Sequence, residues 1–233
     1  IPQTRWPCRS CRGRPEGCEA CEGTGLQYSD SVQDLIGEPF RLVLSAENTS
    51  FHGMGREDID VRCLGRGRPF VLEVKRPKVR RTDLEEVMKA VNSNGADKIE
   101  ISDLRWTNRS EVSRVKETRA EKSYTIRFSV EEQPEESFII ESISKLSGVT
   151  LEQQTPKRVS HRRADLTRKR KVVSIDNVVV EDSEVQFSVR CEAGTYVKEL
   201  VHSDEGRTVP SVAGVLGSPC EVIWLDVEDI HAD

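Results

Sequence analysis

Two Cys-x-x-Cys knuckles, Cys8-Arg9-Ser10-Cys11 and Cys18-Glu19-Ala20-Cys21, stand close together near the start of the chain. Four thiols in this pattern suit a tetrahedral metal, because each knuckle can grip it with two sulfurs at about 2.3 Å. Gly13, Gly17, Gly23 and Gly25 permit the tight turns, and Arg5, Arg9, Arg12 and Arg14 offset the negative charge of a four-thiolate centre. The spacing predicts structural zinc held by Cys8, Cys11, Cys18 and Cys21, in preference to a redox pair or disulfides. The total of 7 cysteines is odd, which also argues against a disulfide framework. Cys63, Cys191 and Cys220 are scattered and read as core or strand residues.

The 233 residues, 36% of them hydrophobic, can bury one large domain with an appendage. The expected division is a four-cysteine segment over 1–28 and a main domain over 29–233. Net charge is -5, so the chain as a whole does not advertise nucleic-acid binding. Its charge is segregated, however. Arg62 to Arg81 and Lys157 to Lys171 are each dense in Lys and Arg with a single acid apiece, while Glu131 to Glu136 and the C-terminal part carry the balancing acid. Such segregation creates positive faces on an acidic chain. No apolar run approaches the ~20 residues of a membrane span, and no signal-peptide pattern is present. A soluble, cytoplasmic protein is expected, and a start at Ile1 rather than Met predicts a fragment of a longer chain.

Apolar periodicity and turn residues predict interleaved helices and strands. A helical turn is expected over Ser29–Leu35, then a strand over Phe40–Leu44. Ile59–Leu64 and Pro69–Val74 read as paired strands about the turn Gly65-Arg66-Gly67-Arg68. Helices are expected over Asp83–Val91, Ser110–Arg119, Glu136–Leu146, Gly194–His202 and Val209–Leu216. Strands are expected over Lys98–Leu104, Ser123–Val130 and Cys220–Val227, with a hairpin of Lys171–Val180 and Glu184–Cys191. Without strict βαβ repetition this predicts an α+β fold, a mixed and largely antiparallel sheet flanked by helices.

Four separated stretches carry chemistry. Gly55-Arg56-Glu57-Asp58 puts an aspartate on a glycine-flanked loop beside an arginine. Lys122-Ser123-Tyr124 and Gly194-Thr195-Tyr196-Val197-Lys198 supply two tyrosines that can stack on a base and a lysine that can hold a carboxylate ionised. The basic run from Lys157 to Lys171 suits phosphate. Together they fit chemistry on an RNA base. Gly65-Arg66-Gly67-Arg68 lacks the Lys-Ser/Thr ending of a P-loop, the four histidines show no metal-ligand spacing, and no serine sits in a nucleophile elbow.

The run Phe51-His52-Gly53-Met54-Gly55-Arg56-Glu57-Asp58-Ile59-Asp60-Val61-Arg62, followed by Leu64-Gly65-x-Gly67-Arg68-Pro69-Phe70, resembles the signature of the Pus-ten family of tRNA pseudouridine synthases. Glu121-Lys122-Ser123-Tyr124, Thr155-Pro156-x-Arg158-Val159-x-His161-Arg162-Arg163, Ala193-Gly194-Thr195-Tyr196-Val197-Lys198-Glu199 and Asp204-x-Gly206-Arg207-Thr208-x-Pro210 extend the likeness, which runs from about Trp6 to Asp229. The knuckle ahead of these motifs is similar to the archaeal branch, in which a zinc-bearing RNA-binding domain precedes a pseudouridine synthase domain.

The resemblance implies a pseudouridine-synthase-like domain over 29–233 that isomerises uridine to pseudouridine in the TΨC arm of tRNA, at position 55 and in archaea also 54. It implies tRNA as partner, no obligate protein partner, no membrane, no organic cofactor and zinc in a structural role alone. Asp58 matches the catalytic aspartate of the Gly-Arg-x-Asp pattern, with Asp60 its neighbouring rival. Lys198 matches the basic residue that pairs with that aspartate. Tyr124 matches the tyrosine that stacks on the target base, and Tyr196, Arg56 and Leu200 match further substrate contacts. Arg158, Arg162 and Arg163 are implied phosphate contacts. The competing expectation is a non-catalytic zinc-containing RNA-binding or RNA-chaperone protein.

Overall fold

Ser31 accepts from the backbone N–H of Asp34 and starts α1 (Val32–Val43), the first long element of the computed structural model. In chain order there follow β1 (Asn48–Gly53), β2 (Arg62–Cys63), β3 (Phe70–Lys75), α2 (Leu84–Asn94), α3 (Arg109–Glu117), β4 (Glu121–Val130), α4 (Glu136–Ser144), β5 (Thr150–Gln154), β6 (Thr167–Glu181), β7 (Glu184–Cys191), α5 (Val197–His202), β8 (Thr208–Val209), α6 (Val212–Leu216) and β9 (Cys220–His231). The structure describes residues 1–132 and 134–232, with the side chain of Arg162 outside the described set. These elements form two compact units, one of Ile1–Ile59 and Pro69–Thr118, the other of residues 60–68 and 119–233.

In the first unit, β1 and β3 pair antiparallel, with Phe51 opposite Leu72. Ile36, Phe40 and Leu44 of α1 and its C-terminal turn meet Val87 and Val91 of α2 and Ile101 in one core, and Phe51 stacks on Phe70 at 5.2 Å. Each such side chain contributes roughly 1.5–3 kcal/mol when fully buried. Three expectations are corrected here. The strand expected over Phe40–Leu44 is the second half of α1, which continues through Pro39 because the apolar spacing of Ile36 and Phe40 keeps one face on the core. Pro69–Val74 does not pair with Ile59–Leu64; its partner is β1. Lys98–Leu104 is not a strand: no strand pairs with it, and the Asn92 amide takes both backbone groups of Ile101 at 2.8 and 2.9 Å.

The second unit is built on a seven-stranded sheet of order β2-β9-β4-β7-β6-β5-β8. All its pairs are antiparallel except β2 with β9, which is parallel over two residues. Strand alternation sends Tyr124, Ile126, Phe128 and Val130 of β4 and Val185, Phe187, Val189 and Cys191 of β7 into the core. Phe128 and Phe187 meet edge to face. The buried faces of α4 and α5 lie on the sheet, against β6 and β9, and α6 packs against both helices. The α+β architecture and largely antiparallel sheet are as the sequence predicts.

Candidate active site

The knuckle closes on itself in the first unit. Sγ of Cys8 lies 3.8 Å from that of Cys18, Cys11 lies 3.9 Å from Cys21, and Cys18 lies 3.7 Å from Cys21. All four sulfurs fall within 4.8 Å of one another. A tetrahedron with metal–sulfur bonds of 2.3 Å has edges of about 3.8 Å, so the four cysteines are placed to bind a metal ion. Burial pushes the Cys18 thiol up to about 11. Burial acts the same way on Cys21, but the N–H groups of Cys18 and Gly25, each 3.2 Å from its sulfur, bring it down to about 6. Backbone donors stabilise a thiolate, the form that coordinates metal.

In the second unit, Lys198 and Glu199 of α5 meet Asp60 and Arg158, residues far away in the chain. The loop before α5 folds over the Glu192 carbonyl, which accepts from the Thr195 N–H at 3.3 Å and its hydroxyl at 2.9 Å. Gly194 takes φ +83, and Tyr196 leads into the first turn. Lys198 then reaches Asp60, with Nζ 2.7 Å from Oδ2. Partial burial opposes ionisation of Asp60, but the hydrogen bond and charge of Lys198, reinforced by the field of Arg158, hold its carboxyl below the usual aspartate value. On the same turn Glu199, 1% exposed, accepts from Arg158 through Nε at 2.6 Å and Nη2 at 3.2 Å. A fork on a carboxylate fixes direction as well as distance.

The chain carrying Asp60 is anchored just beyond it. Arg62 donates through Nε to both carboxylate oxygens of Asp226, at 3.0 and 3.1 Å, through Nη2 to Oδ2, and through its backbone N–H to Oδ1 at 3.3 Å. Asp226 is 4% exposed on β9. Arg66 pairs with Asp229 three residues further along the same strand. Gly65 must be glycine: at φ +56 a Cβ would lie 2.1 Å from the Glu228 carbonyl oxygen.

The other predicted residues are distributed as follows. Asp58 is half-buried in the irregular segment after β1, in the first unit. Arg56 is exposed there, its guanidinium 5.6 Å from the centroid of the Trp6 ring. Tyr124 is 4% exposed on β4, opposite Val189 and Val227. Tyr196 is half-buried, and Leu200 is wholly buried in the core beneath α5. Arg163 is exposed, and Lys157, at the head of the same basic run, pairs with Glu205. Arg158 is taken up by Glu199. Sequence reasoning assigned no role to Glu199, Gln153 or Asp226. Glu199 had a signal, standing within a quoted motif next to Lys198; Gln153 and Asp226 had none.

A family model described as "Pus10, C-terminal" matches residues 1–231. A protein of Methanothrix thermoacetophila named tRNA pseudouridine synthase Pus10 is 48% identical over 99% of this chain and 50% of its own length. Its namesake in Methanocaldococcus jannaschii is 44% identical, again over 99% and 50%. This chain spans about half the length of these curated relatives. A solved structure titled as a Cbf5-Nop10-Gar1 complex superimposes with a TM-score of 0.52 at 21% identity, covering 85% of this chain and 45% of that one, a likeness of fold.

Proposed function

The chain belongs to the Pus10 C-terminal family, and on that premise we propose that it isomerises uridine to pseudouridine in the TΨC arm of tRNA, at position 55 and also 54. The reaction breaks the N1–C1′ bond of the uridine, turns the uracil, joins C5 to C1′ and releases the C5 proton while N1 gains one. The base must first leave its stack, which costs a few kcal/mol. Aromatic stacking returns roughly 1–3 kcal/mol per base, the role proposed for Tyr124, with Tyr196 as a further substrate contact.

The observation that carries this reading is the Lys198–Asp60 ion pair. It brings the lysine of the Gly-Thr-Tyr-x-Lys motif to the aspartate stretch 138 residues earlier. Asp58 is assigned the chemistry, as nucleophile on the sugar or as base, because it completes Gly55-Arg56-x-Asp58. Asp60 then places Lys198. A second assignment has one point in its favour: Lys198 holds Asp60 itself ionised, so Asp60 could carry the reaction and Asp58 support it.

Arg163, Arg162 and the rest of the 157–171 segment are assigned to phosphates, which position RNA without reading bases. Arg158 acts from beneath, through Glu199. Zinc is the metal proposed for the four cysteines, in a structural role, and no organic cofactor enters the reaction. A cytoplasmic location suits a tRNA substrate. Among the described residues no helix is long and apolar enough to cross a membrane.

The test is tritium release from C5-labelled uridine in a tRNA transcript by the full-length protein and by Asp58→Ala and Asp60→Ala. Release by the parent and by Asp60→Ala at reduced rate, with none by Asp58→Ala, is expected. Release by Asp58→Ala but not Asp60→Ala exchanges the two roles. A parent that binds tRNA and releases nothing is a binding protein.

A further inference from the structure

Gln153 is 1% exposed, on the core-facing side of β5 behind Leu151. A buried side-chain amide is costly unless its donors and acceptor are used. Here they are used on Tyr196 and Thr208. Oε1 accepts from the Tyr196 N–H at 2.9 Å, and Nε2 donates to the Tyr196 carbonyl at 3.0 Å. The same nitrogen lies 3.3 Å from the Thr208 hydroxyl on β8. Tyr196 lies outside any strand and immediately before α5; its carbonyl also accepts the first helical bond, from the Leu200 N–H at 3.1 Å, while its N–H is held by the side chain of a strand 43 residues away.

We infer that Gln153 is a positioning residue for the proposed reaction: its one buried amide fixes the backbone of Tyr196, and with it the direction in which Tyr196 and Lys198 leave the start of α5. This rests on the reading above. Lys198 follows Tyr196 by two residues, within the first turn, and its ammonium must meet Asp60 at 2.7 Å. A rotation of the Tyr196 backbone would displace both the tyrosine ring and the lysine. The basic segment that is assigned to phosphates is also held by bonds outside α5, from the Lys157 N–H to Asp204 at 3.0 Å and from its ammonium to Glu205. Gln153 therefore separates binding of tRNA from the chemical step.

The experiment compares full-length parent, Gln153→Met and a packing control, Ile139→Val on α4, by melting temperature, tRNA Kd and single-turnover pseudouridine formation at saturating tRNA. Methionine keeps the volume and removes both bonds to Tyr196 together with the one to Thr208. A misplacement of about 1 Å in a reacting group can slow chemistry on the order of a hundredfold, so a loss of about tenfold to a hundredfold is expected with Kd within about twofold. Ile139→Val should lose stability and keep its rate. A parent-like rate in Gln153→Met, or equal slowing in the control, overturns the inference. Should Gln153→Met not fold, Gln153→Glu serves: it keeps the acceptor and loses the donor, and a parent-like rate there overturns the inference as well. A parent that makes no pseudouridine sinks the functional reading and this one together, whereas an active parent with an unaffected variant sinks this one alone.

Discussion

Arg158 and Glu199 form a one-sided ion pair: the carboxylate is buried and the guanidinium is partly open to solvent. Removing either partner therefore has different consequences. Arg158→Ala leaves a charged group buried without its fork and should cost about 3 kcal/mol. Glu199→Gln leaves a cation that water can still reach and retains an acceptor, so about 1 kcal/mol is expected. Urea midpoints of the two variants would show the asymmetry, and equal losses would argue against it.

Two glycines in one turn should respond unequally to alanine. Both have positive φ, but a Cβ on Gly65 strikes the Glu228 carbonyl oxygen while one on Gly67 meets nothing within 4 Å. Gly67→Ala should carry only backbone strain, about 1–2 kcal/mol. Gly65→Ala should cost more and should release β2 from β9, seen as faster amide exchange at Leu64, whose N–H bonds the Val227 carbonyl.

Metal removal should act on the knuckle first. One equivalent of zinc per chain is expected by atomic emission, falling on Cys11→Ser. Stripping it with a chelator should expose Cys21, whose thiol the backbone N–H donors bring down to about 6, to alkylation at neutral pH. Cys191 and Cys220, pushed up to about 12 by burial, should stay unlabelled while the protein is folded. Labelling of Cys191 before Cys21 would contradict this order.

Acid should weaken the second unit only at low pH. Asp60 and Asp229 are held below the ordinary value of 3.8, by Lys198 and Arg66, and Glu205 is held below 4.5 by Lys157. Lowered folded-state values mean these pairs stabilise above the unfolded values and lose their effect as pH falls through and below them. Each pair is solvent-accessible and contributes little alone. Their contribution should leave the melting temperature level from about pH 8 to 5 and lower it below about pH 4; a loss already complete near pH 6 would point to other groups.

Much of the fold was legible because its signals are local. Asp83 caps α2 through the N–H groups of Glu85 and Glu86, and strict alternation marks β4 and β7. The errors arose where the deciding partner is distant. Ile59–Leu64 and Pro69–Val74 looked like a hairpin across a glycine-rich turn, yet each found its partner elsewhere. Polar Asn48-Thr49-Ser50 concealed β1. Asn92 and Gln153 replace ladder bonds with a side-chain amide, a substitution that no periodicity announces. The site shows the same division: Lys198 and Tyr196 stand in a readable motif, while the groups that aim them lie on β5, in the basic run and on β9.

The pairing of β2 with β9 has a consequence for the order of folding. Arg62 and Asp226 are 164 positions apart, and closing so long a loop costs about 4–5 kcal/mol from the logarithmic dependence on length alone. A two-residue ladder and one arginine fork cannot offset that in an unstructured chain. The β4–β9 ladder must already exist, so that β9 is a fixed edge when β2 arrives. A long-range contact forms late, and an edge held by a two-residue ladder opens at low cost. The arm bearing Asp60 is then the last piece of its unit to dock and the first to be released, while the sheet behind it stays intact.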